Sequence, residues 1–275
     1  MTKFRLGPVE EIHLARAPLA KVLTLVQFSR TPGLTTDAAE ARLADLLGRY
    51  PVRRRQIMAP PAVVINGQPM QMPLPQGVAP LLLTFSQPMN LWQVTVSDVS
   101  VALETTAYET RADFCDRALE IFSAVAAVAL PPVVDRVGLR YIDRLTGSSL
   151  DKLDEWVIPQ LQSLYGSVDE GLKVEHSVTD AVIHVSPTDR LQVRSGMLGP
   201  NSAFDPALPP VNEPSWLLDI DIFTVQAGFP FDANGLASKL RNYAETAYGL
   251  FRFATTDRFQ ADHAGAEQIS LEERP

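Results

Sequence analysis

The chain of 275 residues is long enough for one large domain or two smaller ones, and its 46% hydrophobic content is that of a globular protein with a full core. A formal net charge of -8 and a pI near 5.1 argue against a protein whose main work is wrapping a phosphate backbone, because that affinity comes chiefly from Lys and Arg. One cysteine, Cys115, excludes an intrachain disulfide and every multi-cysteine metal site, and its place beside Phe114 in an apolar helical pattern reads as a buried thiol.

Charge is spread unevenly. Residues 1–60 hold ten Lys/Arg against five acids, an excess of +5, while the remainder carries -13. A basic edge on an acidic body guides self-association as readily as it meets nucleic acid. Met1 to Pro8 is charged and has no apolar leader core, and no segment approaches the ~20 uninterrupted apolar residues of a spanning helix, so a cytoplasmic protein is expected.

In chain order, Lys21 to Phe28 reads as a strand, rich in β-branched residues and alternating in side-chain character. After a turn at Thr31-Pro32-Gly33, Thr36 or Asp37 caps a helix through about Tyr50, stopped by Pro51. Arg53-Arg54-Arg55 follows, then a proline-rich arm at about 58–80 in which Asn66-Gly67 marks a small hairpin. Leu81 to Phe85 and Leu91 to Val96 are adjacent antiparallel strands, Val99 to Ala107 continues the meander, and Thr110 opens a helix that Pro131-Pro132 ends.

The second half runs in the same order. The strand Val134 to Leu145 places Val137, Leu139 and Tyr141 on one side, with Arg136, Arg140 and Asp143-Arg144 as charged punctuation. A helix over about Ser149 to Tyr165 is expected next, with Pro159 as its kink, then strands at Val174 to Val185, Leu191 to Met197 and Trp216 to Val225. A proline-rich loop from Pro200 to Pro214 separates the last two strands, and a helix over about Ala233 to Phe253 closes the unit. The domain reading is residues 1–135, then 136–266, with a disordered tail at 267–275. Leu91-Trp92-Gln93-Val94 answers to Ser215-Trp216-Leu217-Leu218, and Phe114 to Val125 answers to Leu236 to Ala247. The expected fold is therefore α+β: two pseudo-repeated strand-helix-sheet-helix units joined into one curved, mostly antiparallel sheet, helices on one face and the other face free. In element order this is analogous to the saddle of the TATA-binding-protein class.

The strand Arg136-Val137-Gly138-Leu139-Arg140-Tyr141-Ile142-Asp143, the early Pro18-Leu19 to Phe28 segment and the late Phe251 to Asp257 pattern give a resemblance to a sporadically distributed family of uncharacterised bacterial proteins. This chain has Asp143 where that family commonly has Asn. The resemblance implies a shared fold and an accessory, prophage or defence-associated setting, and brings no activity with it.

An enzyme needs convergent acid, base or metal groups. Of the four histidines, His13, His176, His184 and His263, the pair at 176 and 184 would sit roughly 26 Å apart along a strand, too far to share an ion. Asp219 and Asp221 alternate with Leu218, Ile220 and Ile222, which puts both carboxylates on one face; such a pair holds Mg²⁺ or divides acid and base roles, and is also the ordinary solvated side of an amphipathic strand. They are the main metal candidates, with His184 and a ligand from a neighbouring strand as a lesser one. No Gly-x-Gly-x-x-Gly, Walker-type loop, Gly-x-Ser-x-Gly or His-Glu-x-x-His occurs, and Ser195-Gly196 and Asn234-Gly235 read as turn signals. Arg53, Arg54 and Arg55 are the nucleic-acid candidates, with only Tyr50 nearby to stack. Arg140 and Arg144 are placed to pair with acids across the sheet.

The expectation from sequence is a non-enzymatic protein-binding or assembly protein without a cofactor, in an antitoxin-like or defence locus of a bacterium or phage, with a protein partner or self-association. The alternatives are metal-dependent phosphoryl transfer or nuclease chemistry at Asp219 and Asp221, and nucleic-acid binding through Arg53 to Arg55.

Overall fold

A computed structural model of the chain describes residues 4–7, 9, 10, 12, 14–57, 81–164, 168, 172, 174–202, 205 and 208–264, and the backbone of 62–65 and 68–71. The fold is α+β. The first half runs β1 (Leu19–Phe28), α1 (Asp37–Leu46), β2 (Val52–Ile57), β3 (Ala62–Ile65), β4 (Gln68–Gln71), β5 (Leu81–Ser86), β6 (Trp92–Val96), β7 (Ser100–Thr105) and α2 (Arg111–Val128). The second runs β8 (Val134–Thr146), α3 (Leu153–Trp156), β9 (Ser177–His184), β10 (Asp189–Leu198), β11 (Ser215–Thr224), α4 (Ala233–Ala254) and α5 (Asp257–His263). Nine strands form one antiparallel sheet in the order β2-β5-β6-β7-β1-β8-β11-β10-β9, and β3 and β4 pair separately as a hairpin with Ile65 opposite Gln68. No helix among the described residues is long and apolar enough to cross a membrane.

By contacts the chain divides into two compact units. One holds Thr24–Val137 and Ala227–Ala237; the other holds Met1–Leu23, Gly138–Gln226 and Ser238–Pro275. The cut in β8 falls beside the expected boundary, but the first 23 residues go with the second half. The cause is local: Gly249 leaves room on α4 for Phe4, Gly7 and Val9, and the Ile12 N–H donates to the Tyr248 hydroxyl at 2.7 Å.

In the unit built on β2, β5, β6 and β7, alternation sends Leu83, Phe85, Trp92, Val94, Val96, Val101 and Leu103 to one buried face. The helix α2 packs on that face. Phe114 lies 5.9 Å from the Trp92 ring, and Arg117 covers the same ring at 4.1 Å. Threonine caps set both helix starts, the Thr36 hydroxyl accepting from the Ala39 N–H and the Thr110 hydroxyl from the Asp113 N–H, each at 3.1 Å. Cys115 is buried in α2, as its pattern predicted.

In the other unit the buried face carries Leu139, Leu145, Leu191, Val193, Leu218, Ile220 and Ile222. Tyr243 and Lys239 of α4 both reach Asp189 at the head of β10, which fixes α4 over that face. The expected 149–165 helix is broken into a 3-10 turn (Gly147–Lys152), α3 and a second 3-10 turn (Pro159–Leu161). Val157 is extended because its neighbours pair with the chain after α4: the Ile158 N–H donates to Ala254 and the Thr256 N–H to Trp156. Ser195-Gly196 is not a turn. Gly196 lies inside β10 at φ +144, and a Cβ there would come within 2.0 Å of the Ser177 carbonyl oxygen, so only glycine lets β9 close onto β10. Asn234-Gly235 is the first turn of α4, where both N–H groups donate to the Asp232 carboxylate. The 267–275 tail lies outside the described residues.

Candidate functional site

The face of β8, β11, β10 and β9 opposite the buried one carries a ladder of charge. Register sets Ile142, Asp219, Arg194 and Asp180 in one cross-strand row and Arg140, Asp221, Gln192 and Val182 in the next. Arg140 reaches diagonally to Asp219, donating Nε to Oδ1 and Nη2 to Oδ2, both at 2.7 Å. Arg194 donates to the same Oδ2 at 3.3 Å and lies 3.5 Å from Asp180, which also accepts from Gln192 at 2.9 Å. Asp205, from the proline-rich loop between β10 and β11, lies 3.1 Å from Arg140. Burial works against the Arg140 charge, but its bonds to Asp219 and then Asp205 outweigh it and raise its pKa.

This overturns the reading of Asp219 as a solvated carboxylate. It is 2% exposed, and guanidinium groups take both of its oxygens. Nor is the face open here, for the loop lies across it: besides Asp205, the Pro209 carbonyl accepts from Arg144 Nη1 at 2.8 Å, and Leu208 is buried. Asp221 lies in the adjacent row against Gly138. Among the described residues no three His, Cys, Asp or Glu side chains gather as a metal group.

Asp143 departs from the expected charged punctuation. It shares the buried face with Leu139 and Leu145, is 4% exposed, and is pushed up to about 7 by burial first and by the nearby Asp219 charge second. Among the described residues Arg144 meets no acid. Its Nε is buried without a partner, and burial lowers its pKa.

Arg144 also lines a cleft of about 690 Å³ that sequence reasoning missed, together with Arg16, Lys152, Trp156, Asp262 and His263. Asp262 Oδ2 accepts from Trp156 Nε1 at 3.0 Å and lies 3.2 Å from Arg258 and 3.6 Å from Lys152; the Trp156 bond leads the effects that lower its pKa. Arg16 donates to the Asp262 backbone carbonyl at 2.7 Å. His263 Nδ1 sits 2.8 Å from the Phe259 carbonyl, which has no proton to give, so Nδ1 donates and Nε2 keeps the lone pair. Burial lowers the His263 pKa, the bond to Phe259 opposes this, and the Arg16 charge lowers it further. A Thr-Asp cap signal was present at Thr256-Asp257, where the Thr256 hydroxyl accepts from Phe259 N–H at 3.2 Å, and it would have shown α5 and so placed His263.

The remaining sequence candidates do not converge. Arg53, Arg54 and Arg55 lie exposed on the edge strand β2, where Arg55 pairs with Asp37 at 2.5 Å and Glu40 at 3.4 Å. His176 and His184 are exposed, and His13 lies outside the described residues. No family model, no curated protein and no solved structure matches the chain.

Proposed function

We propose that the chain is a non-enzymatic assembly protein that associates with a second copy of itself through β9. The supporting observation is that β9 ends the sheet order and is exposed from Thr179 to His184, with Val182 at 55% and Ile183 at 37%. Edge strands are usually blunted by Lys, Pro or bulges. The strand β9 carries none of these, whereas the opposite edge, β2, carries three arginines.

Antiparallel pairing of β9 with its copy about Val182 sets Val182 opposite itself, Ala181 opposite Ile183, and Asp180 opposite His184 of the second copy. Apolar then meets apolar, and acid meets base. A twofold contact of this kind uses up the edge, which gives a closed dimer and no fibre. An enzymatic role at Asp219 is disfavoured because its oxygens already serve two guanidinium groups.

The same reading takes the two halves as a duplicated unit with a saddle-like sheet. Each half places its first strand at the centre, the next strand at the outer edge and the remainder in a meander back inward, then closes with a long helix. Trp92 and Trp216 both open a meander strand and both face the buried side. The resemblance carried by the β8 motif extends the proposal to an accessory locus of a bacterium or phage, where the assembly holds a protein in antitoxin-like or defence-related fashion.

Light scattering on the eluting protein tests the assembly. A dimer at tens of micromolar that Val182→Lys converts to monomer is the expected result. A wild-type monomer at that concentration, or a dimer indifferent to Val182→Lys, ends the proposal; Val182 is exposed, so the change leaves folding intact.

A further inference from the structure

The cleft lined by Arg16, Arg144 and Lys152 is independent of the β9 edge. We propose that it binds a small organic phosphate monoester, its phosphate held by Arg144, Arg16 and Lys152.

Charge is the first argument. Three cations face one carboxylate, Asp262, and that carboxylate is already shared with Arg258 and Trp156. His263 adds no charge, since burial and Arg16 favour its neutral form. The lining therefore carries an excess of two positive charges, which matches the dianion of a phosphate monoester at neutral pH and exceeds what one carboxylate would neutralise.

Arg144 supplies the second argument. A guanidinium offers five donors, and this one spends Nη1 on the Pro209 carbonyl while its Nε is buried with no partner. The Nε is closed to solvent, so the donors that a phosphate in the cleft meets are those at the Nη end that the Pro209 bond leaves over. The same residue sits on β8 beside Pro18, whose carbonyl takes the Arg144 backbone N–H at 2.9 Å, so its root is fixed by the sheet and only the head is free to serve a ligand.

Size and lining give the third. At about 690 Å³ the cleft falls within the ~300–1,000 Å³ range of small-molecule sites and has room well beyond a phosphate group. Leu145 and Trp156 offer apolar wall for the organic part, and the lone pair on His263 Nε2 is an acceptor for a ligand hydroxyl. Arg16 and Lys152 are exposed enough to meet an entering anion, while Arg144 lies deeper.

Calorimetric titration of the full chain with inorganic phosphate, glycerol 3-phosphate and glycerol tests the site. Glycerol 3-phosphate is expected to bind more tightly than inorganic phosphate, and glycerol not to bind. Arg144→Gln should weaken the monoester about tenfold, the cost of one charge-assisted bond, with Arg144→Lys recovering part of it. Lys152→Gln, at an exposed side chain that leaves the fold alone, should weaken it several-fold. No saturable binding of either phosphate to the wild type at millimolar concentration overturns the site, as does unchanged affinity in Arg144→Gln and Lys152→Gln. Inorganic phosphate binding as tightly as glycerol 3-phosphate overturns the monoester and leaves a bare anion site.

Discussion

The two meanders of this sheet turn differently finished faces away from their helices. On the β5–β6–β7 meander, the face away from α2 carries Gln93, Thr95, Ala102 and Glu104, half-buried and neutral apart from Glu104, with Gln93 Nε2 donating to Glu104 at 3.0 Å. On the β9–β10–β11 meander, the face away from α4 carries Asp180, Arg194 and Asp219, backed by Arg140 and roofed by Asp205 and Pro209. Water reaches the first face only in part, since its four residues are half-buried. The second loses water to a loop, so its charges must satisfy one another. Charge and cover thus come together: an aspartate under a roof needs its arginines, and the arginines need the aspartate.

The largest test of this contrast is Asp219→Ala. Removing the carboxylate takes from Arg140 its two-pronged partner and from Arg194 one of its acids, and urea denaturation should show a loss of about 3 kcal/mol. Replacing Arg140 and Asp219 together by Met and Leu should recover much of that loss, because a buried ion pair is worth little more than apolar side chains of similar volume. A loss below about 1 kcal/mol for Asp219→Ala would mean that water reaches this face as it reaches the other, and the contrast would fail.

Asp143 sharpens the same point from the buried side of the sheet. Its carboxyl keeps its proton up to about pH 7 in the folded chain, whereas an unfolded aspartate loses it near 4. Between those values the folded state binds the extra proton, so this residue's contribution to stability falls as pH rises, by at most about 1.4 kcal/mol per pH unit. Above pH 7 the accumulated penalty stays constant at roughly 4 kcal/mol. Asp143→Asn keeps the shape and never ionises. The variant should match the wild type near pH 4 and be more stable by a few kcal/mol at pH 8; parallel stability curves from pH 4 to 8 would refute the buried, protonated carboxyl.

Much of this was legible in the chain because alternation and capping are local signals. The strand at β8, the Thr36 and Thr110 caps, the meander after Leu81 and the helix α4 follow from them directly. The charged face was half legible. Parity placed Asp219 and Asp221 together and set Arg140 to meet an acid, though not Arg144, which takes the Pro209 carbonyl; pairing Asp219 with Arg194 needs the β10–β11 register, which depends on how far the proline-rich loop reaches. Arg190, Gln192 and Arg194 alternate with Leu191, Val193 and Ser195, so the polar side of β10 was written there without its partner. Asp143 misled for a different reason. A carboxylate in a strand reads as solvent-facing, and only its burial in the folded chain shows that it holds its proton to higher pH. The basic cleft was not legible at all, since Arg16, Arg144 and His263 lie more than a hundred residues apart and gather only when the chain on both sides of α4 folds back.

The smallest expected effect completes the contrast from the side with little charge. Gln93→Ala removes one side-chain hydrogen bond, to Glu104, on a half-buried face. Water replaces the lost donor, and Glu104 stays hydrated, so the change in urea denaturation should stay within about 0.5 kcal/mol. Thr95→Asp introduces a carboxylate at the place that Asp219 holds in the other meander, and with water available it should cost no more than about 1 kcal/mol. A loss above about 2 kcal/mol for either change would show that something covers this face as the loop covers the other. The two meanders would then differ in the identity of their covers and no longer in the presence of one.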